Sequence, residues 1–441
     1  MDWRDFVEAM SVVERTLRED PGGVYGLMDF ATRDRYRHVV EKVAKKSRLS
    51  ESEVARHAIH LAQEGAAQPG NDDRAAHVGF YLIDRGLLLL ERRAQARSSI
   101  LESLQRRHRQ LPLLLYLGAV VLLAGLFAGG LLAMAQAGGV SGWVLAPLGA
   151  LALLGTSHQA VALANWLGTL LVRPFALPRM DFSVGIPPEA RTLVVTPTML
   201  TSVSGIEALV DALEVRFLAN RDDSLHFGLL TDLRDADAET LPEDEGLVQL
   251  AAHRVEALND KYRRVRGDTF FLFHRGRRWN VQERVWMGYE RKRGKLADLN
   301  ALLRGDAEDR FSRVVGDTAI LWNVKYVITL DTDTQLPRDA ARELVGAMTH
   351  PLNRPRYDAD QQRVCEGYGI LQPRVAVSLP GANRSRYARL YGSDAGIDPY
   401  TRAVSDLYQD WFQEGSFIGK GIYDVDALEQ ALDGRFPENR I

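Results

Sequence analysis

The sequence contains a single cysteine, Cys365, among its 441 residues. One cysteine excludes an intrachain disulfide framework and any zinc site built from several cysteines. An excess of charge of either sign is also lacking, because 55 lysines and arginines stand against 58 aspartates and glutamates. This balance argues against a general nucleic-acid binder, so no nucleic-acid partner is expected. Charge begins at Asp2 with no apolar stretch before it, and we expect no cleaved signal peptide.

A second absence is internal to the chain. No Asp, Glu, Lys or Arg occurs between Arg109 and Arg173. A run of this length exceeds the roughly 20 residues that one spanning helix needs. The glycine-rich stretch 138–142 divides segment 111–173 into two predicted transmembrane helices, at about 113–136 and 143–172. The lipid bilayer is therefore an expected partner of this chain.

Arginines flank the charge-free run on both sides, whereas the turn inside it has no charge. Under the positive-inside rule, both ends of the hairpin should therefore be cytoplasmic. The flanking residues are Arg92, Arg93, Arg97, Arg106, Arg107 and Arg109 before the run, and Arg173 and Arg179 after it. His158, Gln159 and Asn165 lie inside the second span, where we favour interhelical hydrogen bonding, or contact with further partner helices, over a functional role.

Residues 1–110 are charged and predict a helical cytoplasmic region without recognisable chemistry. Ser50 and Glu53 have the spacing of a capping box, and apolar residues follow at helical intervals. We interpret this region as a small helical domain or as a spacer next to the membrane.

Strand and helix patterns alternate from about residue 180 to the end of the chain. Continuous apolar strands alternating with helices predict an α/β domain, 180–441, with a doubly wound, mostly parallel sheet. The pattern predicts strands at 191–197, 225–232, 269–274 and 324–330, and helices at about 202–218, 246–262 and 337–348, with Ser202 or Ser204 as a helix cap.

Two aspartates follow the strand predicted at 324–330. Asp331 and Asp333 come directly after the apolar sequence Tyr-Val-Ile-Thr-Leu. Open α/β sheets bind ligands beyond the carboxyl ends of their strands. From an extended segment, carboxylates two residues apart point the same way and suit Mg²⁺ or Mn²⁺ holding a diphosphate. The same spacing recurs at 235/237, 358/360 and 424/426, so position after a strand distinguishes this pair.

Three further segments carry candidate binding groups, each with an alternative interpretation. Asp232 ends the second strand, where it suits a nucleoside base or ribose, or begins a polar turn. Segment 291–300 combines cations with a glycine before a helix, and predicts a phosphate-binding turn or a solvated basic loop. The aromatic segment 406–417 suits stacking on sugar rings, or it is a helix that packs its aromatic side chains inward.

Several segments, in this order, resemble the cyclic β-1,2-glucan synthase family, glycosyltransferase family 84. They also resemble processive inverting glycosyltransferases with a GT-A (nucleotide-diphospho-sugar transferase) fold. The segments are 186–195, 293–300 (Arg-Gly-Lys-Leu-Ala-Asp-Leu-Asn), 328–337 (Ile-Thr-Leu-Asp-Thr-Asp-Thr-Gln-Leu-Pro), 369–374 and 415–423 (Gly-Ser-Phe-Ile-Gly-Lys-Gly-Ile-Tyr).

The resemblance implies a multi-pass enzyme of a bacterial-type inner membrane. Such an enzyme would transfer glucose from UDP-glucose to a β-glucan acceptor with inversion. Asp331 and Asp333 would correspond to the metal–diphosphate motif, with Mg²⁺ or Mn²⁺ as cofactor. The donor contacts implied are Thr196, Asp232, Gly294, Lys295 and Asp331, and the acceptor contacts implied are Trp411, Phe417, Gly419 and Tyr423.

The chain departs from the family pattern in the position of its catalytic base. In related synthases the base follows the acceptor segment and precedes a Gln-x-x-Arg-Trp motif, which this sequence lacks. We therefore expect the base beyond Ile441 and interpret the chain as an N-terminal fragment. The alternatives are another membrane sugar-nucleotide transferase, a nucleotidyltransferase, or an inactive scaffold with a transferase fold.

Overall fold

The structure, a computed structural model, describes residues 3–68, 73–97, 112–140, 142–171, 176–263, 267–305, 308–373, 386, 417 and 419–432. These described residues fall into two compact units. The first unit joins the residues up to Ala96 to those from Leu177 to Pro373 and from Gly419 onward. The second unit contains two long apolar helices.

Short helices make up the N-terminal part of the first unit. The predicted capping box is confirmed, because Ser50 Oγ accepts from the Glu53 N–H and Glu53 Oε2 accepts from the Ser50 N–H. Tyr25 and Tyr36 are fully buried in the apolar core between the helices. The described helices are α1 (Trp3–Met10), α2 (Val12–Leu17), α3 (Phe30–Lys46), α4 (Glu51–Ala66), α5 (Gly79–Ile83) and α6 (Leu87–Arg93).

These helices pack directly against the α/β part of the same unit. The Arg179 N–H donates to Thr32 Oγ1 at 3.0 Å, and Arg74 forms a 3.2 Å ion pair with Glu366. The rings of His77 and His350 are both buried and lie 5.3 Å apart. Burial lowers the pKa of His350 well below its usual range, so a neutral imidazole lies at this contact.

The second unit contains the helices α7 (Pro112–Ala137) and α8 (Leu145–Leu171), with a 3₁₀ turn at Gly142–Val144 between them. Each helix is long and apolar enough to cross a membrane. At 1.5 Å per residue, α7 is about 39 Å long, more than the roughly 30 Å of a bilayer's hydrocarbon core. Tyr116 Oη donates to Asn165 Oδ1 at 2.9 Å, which confirms the interhelical hydrogen bonding predicted for Asn165.

A mixed sheet with a parallel centre lies at the middle of the first unit. Within the described residues its seven strands are β1 (Thr192–Leu200), β2 (Leu225–Leu233), β3 (Phe270–His274), β6 (Arg313–Val315), β7 (Tyr326–Thr329), β10 (Ile370–Leu371) and β11 (Gly421–Asp424). Their order in the sheet is β10–β11–β7–β1–β2–β3–β6. Strands β7, β1, β2 and β3 run parallel, and β6, β10 and β11 pair antiparallel at the two sides. Two separate hairpins are β4 (Arg278–Asn280) with β5 (Val285–Met287) and β8 (Arg356–Asp358) with β9 (Arg363–Glu366).

Apolar residues cover both faces of this sheet, as a doubly wound arrangement requires. Alternate residues of β1 point to opposite faces, so Val194 and Leu193 belong to different core clusters. The described helices of this part are α9 (Val203–Ala219), α10 (Asp244–Lys261), α11 (Arg291–Leu303), α12 (Ala340–Thr349) and α13 (Val425–Leu432). The predicted α/β class with a mostly parallel central sheet is confirmed.

The structure settles two local predictions. Ser202 caps α9, since its Oγ accepts from the Gly205 N–H at 3.1 Å. The helix predicted at 337–348 was wrong at its start, because α12 begins only at Ala340. Asp339 has a left-handed φ of 60°, and its N–H donates to the Ala219 carbonyl outside the helix. Pro337 therefore precedes the helix and does not form its first turn.

Candidate functional site

A cavity of about 310 Å³ opens where the parallel strands end. Strands β1, β2 and β7 run in the same direction, so their carboxyl ends meet at one edge of the sheet. The first turn of α11 forms the opposite wall. The lining residues used below are Thr198, Asp232, Gly288, Arg291, Lys292, Lys295 and Thr332.

Asp232 lies at the base of this cavity, as its position at a strand end predicts. Its side chain is 3% exposed and receives two bonds from Arg275, at 2.9 Å to Oδ1 and 3.0 Å to Oδ2. Lys295 Nζ adds an ion pair at 3.0 Å. A Cβ on Gly288 would lie 2.1 Å from Asp232 Oδ2, so only glycine permits this approach of the backbone. The carboxylate is thus enclosed and neutralised by two cations.

Arg275 connects three parts of the fold beneath the cavity. Besides Asp232, it donates to Asp298 Oδ2 in α11 at 2.7 Å and to the Tyr289 carbonyl at 3.1 Å. Burial disfavours the guanidinium charge, but Asp232 and Asp298 outweigh this effect and raise the pKa of Arg275. A permanently charged arginine therefore ties the end of β2 to α11.

Gly294 and Lys295 lie in α11 and not in an open loop. Lys295 is 4% exposed, and its Nζ donates to the Thr198 carbonyl at 2.5 Å as well as pairing with Asp232. Burial lowers the pKa of Lys295, and Asp232 opposes that shift. A Cβ on Gly294 would lie 2.2 Å from the Tyr289 carbonyl oxygen, so this glycine permits close packing. Of the two residues, Lys295 lines the cavity.

Asp331 lies just past β7 and is held by two lysines. Lys292 Nζ donates to its Oδ1 at 2.6 Å, and Lys420 Nζ lies 3.2 Å from its Oδ2. Partial burial acts to raise the pKa of this carboxyl, but the two ammonium groups outweigh burial and lower it. Asp331 is consequently an ionised carboxylate between two cations.

Asp333 lies in a tight turn and is exposed. The Thr334 N–H donates to the Asp331 carbonyl at 3.1 Å, which closes the turn. The expectation of an extended segment is therefore wrong beyond Leu330, and the two carboxylates differ in environment. The exposed carboxylate of Asp333 accepts a long hydrogen bond from Thr334 Oγ1, at 3.4 Å.

Arg216 of α9 holds this turn by hydrogen bonds to its backbone carbonyls. It is 4% exposed, and its guanidinium donates to Thr196 Oγ1 at 3.3 Å and to the carbonyls of Asp331, Thr332 and Thr334 at 2.9–3.2 Å. Burial lowers the pKa of Arg216, with the charge of Asp333 opposing the shift. Thr196, a residue assigned to the donor by resemblance, is fully buried and contacts Arg216 from below the turn.

The fit of a divalent cation depends on what completes its coordination. Among the described residues, no three His, Cys, Asp or Glu side chains form a group that would hold a metal alone. Mg²⁺, however, commonly takes one or two carboxylates and fills its remaining positions with substrate phosphate and water. Asp331 and Asp333 offer such carboxylate oxygens beside the cavity, but each oxygen of Asp331 already has a lysine within 3.2 Å, with which a metal would compete.

Of the four residues predicted for an acceptor, Gly419 and Tyr423 belong to the first unit. The Gly419 carbonyl receives bonds from Lys292 Nζ at 2.9 Å and Thr329 Oγ1 at 3.1 Å, beside Asp331. Tyr423 is buried in β11, and its hydroxyl donates to Asn300 Oδ1 at 2.7 Å. Phe417 is 39% exposed and belongs to the second unit. Trp411, with the rest of the aromatic segment 406–416, lies outside the described residues.

Four cations of this site had no individual role in the sequence interpretation. Lys292 lay inside a segment singled out for its cations and glycine, which was a usable signal, and Lys420 lay inside segment 415–423, which was singled out only by resemblance. Arg275 directly follows β3, and its position as a charged residue at a strand end was a weaker signal. Arg216 gave no signal, because nothing local distinguishes it from a surface arginine in α9.

Comparison with known proteins assigns the chain to a family. No protein-family model matches it. The chain is 40% identical over 449 aligned residues to the cyclic beta-(1,2)-glucan synthase NdvB of Rhizobium meliloti (strain 1021). The alignment covers 100% of this chain but only 16% of that relative. With this identity across its whole length, the chain belongs to the cyclic β-glucan synthase family, as the resemblance predicted, and spans about a sixth of the relative's length.

Proposed function

We propose that this chain carries the sugar-donor site of a glycosyltransferase that elongates a growing β-1,2-glucan in cyclic β-glucan synthesis. The donor would be UDP-glucose, bound at the carboxyl edge of a sheet of the GT-A type. One observation carries the proposal: a carboxylate turn flanked by lysines borders a 310 Å³ cavity at the strand ends. The 40% identity to a named cyclic glucan synthase supports the substrate class.

The nucleoside diphosphate would occupy the cavity between β1, β2 and α11. Asp331 and Asp333 would hold Mg²⁺ or Mn²⁺, which when bound neutralises charge on a leaving diphosphate. Lys292 and Arg291 line the same cavity and would face the phosphates. Lys295 and Asp232 neutralise each other beneath them, so their contribution would be to shape the floor of the site.

Inversion would follow from the direction of attack. An acceptor hydroxyl attacking the anomeric carbon opposite the diphosphate would displace UDP and convert an α-linked donor into a β-linked product, with a carboxylate base taking the hydroxyl proton. Preorganised cations near the departing phosphates favour the transition state, in which negative charge develops there. The described residues near Asp331 supply these cations.

A membrane location would keep the growing glucan close to the bilayer. Helices α7 and α8 are each long enough to span it, and arginines flank the hairpin. We propose that the hairpin is inserted in a bacterial-type inner membrane with the α/β unit in the cytoplasm, where sugar nucleotides are made.

Calorimetry on the full chain in lipid nanodiscs tests the donor site. We expect UDP-glucose to bind in the presence of Mn²⁺, and Asp333→Asn to weaken that binding at least about tenfold, since a charged metal contact is worth more than 1.4 kcal/mol. Asp360→Asn is the matched control, because Asp360 has the same Asp-x-Asp spacing but lies exposed in the β8–β9 hairpin away from the cavity.

Two outcomes contradict the proposal. One is an unchanged affinity for UDP-glucose in Asp333→Asn, which would show that the carboxylate of Asp333 does not contribute to the donor site. The other is tighter binding of UDP-GlcNAc or GDP-mannose than of UDP-glucose in a competition titration, which changes the donor.

A further inference from the structure

Lys292 makes two contacts that join the acidic turn to the segment before β11. Its Nζ lies 2.6 Å from Asp331 Oδ1 and 2.9 Å from the Gly419 carbonyl oxygen. Gly419 has a φ of 84°, and a Cβ there would lie 2.8 Å from this Nζ. The backbone is therefore shaped to admit the ammonium group. Lys292 also lines the cavity in which the donor would bind.

The position of this ammonium group conflicts with that of a metal at Asp331. A divalent cation on the carboxylate would take Oδ1 or Oδ2, and each of these oxygens already has a lysine beside it. Like charges a few ångströms apart repel even when water screens them partly. Lys292 is only 35% exposed, so this repulsion is not fully screened. Metal and lysine are therefore expected to compete for Asp331.

We propose that Lys292 changes partner when the donor binds. Without donor, it neutralises Asp331 and holds the Gly419 carbonyl. When a metal–diphosphate complex takes Asp331, the ammonium group moves to a phosphate oxygen, which the four-carbon side chain permits. The exchange also removes one of the two hydrogen bonds to the Gly419 carbonyl, which keeps the bond from Thr329 Oγ1. This inference rests on the proposed function and adds a positioning role for a lysine at the same site.

The exchange predicts opposite effects of one substitution on two ligands. Lys292→Gln removes a competitor from Asp331, so we expect Mn²⁺ alone to bind about three- to fivefold more tightly, the scale of a partly exposed ion pair. The same variant loses a charged contact to phosphate, so we expect UDP at saturating Mn²⁺ to bind at least about tenfold more weakly. A purely structural lysine would weaken both ligands or neither.

The experiment uses the full chain in nanodiscs, with calorimetric titrations of Mn²⁺ and, at saturating Mn²⁺, of UDP. Lys325→Gln is the matched control, because Lys325 is 36% exposed and bridges Asp424 and Asp426 at the opposite end of β7. We expect it to leave both affinities unchanged. Parallel losses of Mn²⁺ and UDP affinity in Lys292→Gln, or no change in either, overturn the exchange.

Failure of the proposed function gives a different result, because the unaltered chain would then bind neither UDP nor UDP-glucose with Mn²⁺.

If Lys292→Gln does not fold, reductive ¹³C-methylation of lysines, followed by NMR, tests whether Lys292 changes partner. The signal missing from Lys292→Arg identifies Lys292 in the unaltered chain. We expect Mg²⁺ with UDP to shift that signal, and a signal that stays in place overturns the proposal.

Discussion

Replacement of Arg275 by methionine is the sharpest test of how the cavity floor is held. Methionine keeps a long apolar side chain but removes the guanidinium that joins Asp232 to Asp298. Among the described residues, Asp232 would keep the cation of Lys295 alone, and Asp298 would keep that of Arg310, whose side chain is 51% exposed. The substitution therefore leaves two enclosed carboxylates short of their main partner.

The magnitude follows from the burial of these groups. Removing one partner of a buried ion pair typically costs about 3–5 kcal/mol, because the remaining charge has lost its solvent. Arg275 and Asp232 are 6% and 3% exposed at the side chain, which places them in that class. Since domains are stable by roughly 5–15 kcal/mol in total, the loss would bring the first unit close to unfolding.

Urea unfolding followed by tryptophan fluorescence measures this loss, with Trp279 and Trp286 near the site as reporters. A double-mutant cycle with Asp232→Asn should show the two costs to be less than additive by about 1–3 kcal/mol, because the residues are in contact. Arg263→Met is the matched control, since its pair with Asp260 is 2.8 Å long but exposed, and no measurable shift is expected. A cost below about 1 kcal/mol for Arg275→Met, or strict additivity, would refute the reasoning.

The remaining predictions concern Arg216 and His274. Arg216→Met should clearly weaken Mn²⁺-dependent UDP-glucose binding, because the guanidinium holds the turn 331–334 through its carbonyls. An unchanged affinity in calorimetry would show that Arg216 does not have this role. Burial lowers the pKa of His274 to about 4, whereas the unfolded imidazole takes up its proton near 6.5. The unfolded state thus binds more protons between these values, so stability should fall as pH drops from 6.5 to 4, by about 3 kcal/mol in all. His274→Gln should flatten the unfolding midpoint against pH in this window, and an equal slope in both proteins would contradict the assignment.

Local pattern carried the prediction of the elements of the sheet. The four parallel strands of the sheet were found within a few residues, because buried parallel strands are continuously apolar. The start of α12 was missed because Asp339 takes a left-handed φ, which sequence periodicity does not reveal. Caps at Ser50 and Ser202 were recognisable, since capping depends only on neighbours three residues away.

The candidate site was only partly predictable. Asp331 and Asp232 followed from their positions at strand ends, and the structure brings both to the cavity region. Tyr423 was assigned by resemblance to an acceptor, but its hydroxyl bonds Asn300 inside the fold. The position of a residue along its strand predicts whether it lies at the carboxyl edge of the sheet. Whether its side chain is accessible there depends on elements that are distant in sequence and pack against it.

By itself, the sequence determined the α/β class, the two apolar helices and the acidic pair at a strand end. These features depend on short-range periodicity and on the solvent that each residue type prefers. Only the tertiary structure decided which charges meet: Lys292 reaches Asp331 from 39 positions away, and Arg216 reaches the same turn from 115. Contacts between such distant residues require the chain to be folded, because no local pattern encodes the approach of α9 and α11 to the end of β7.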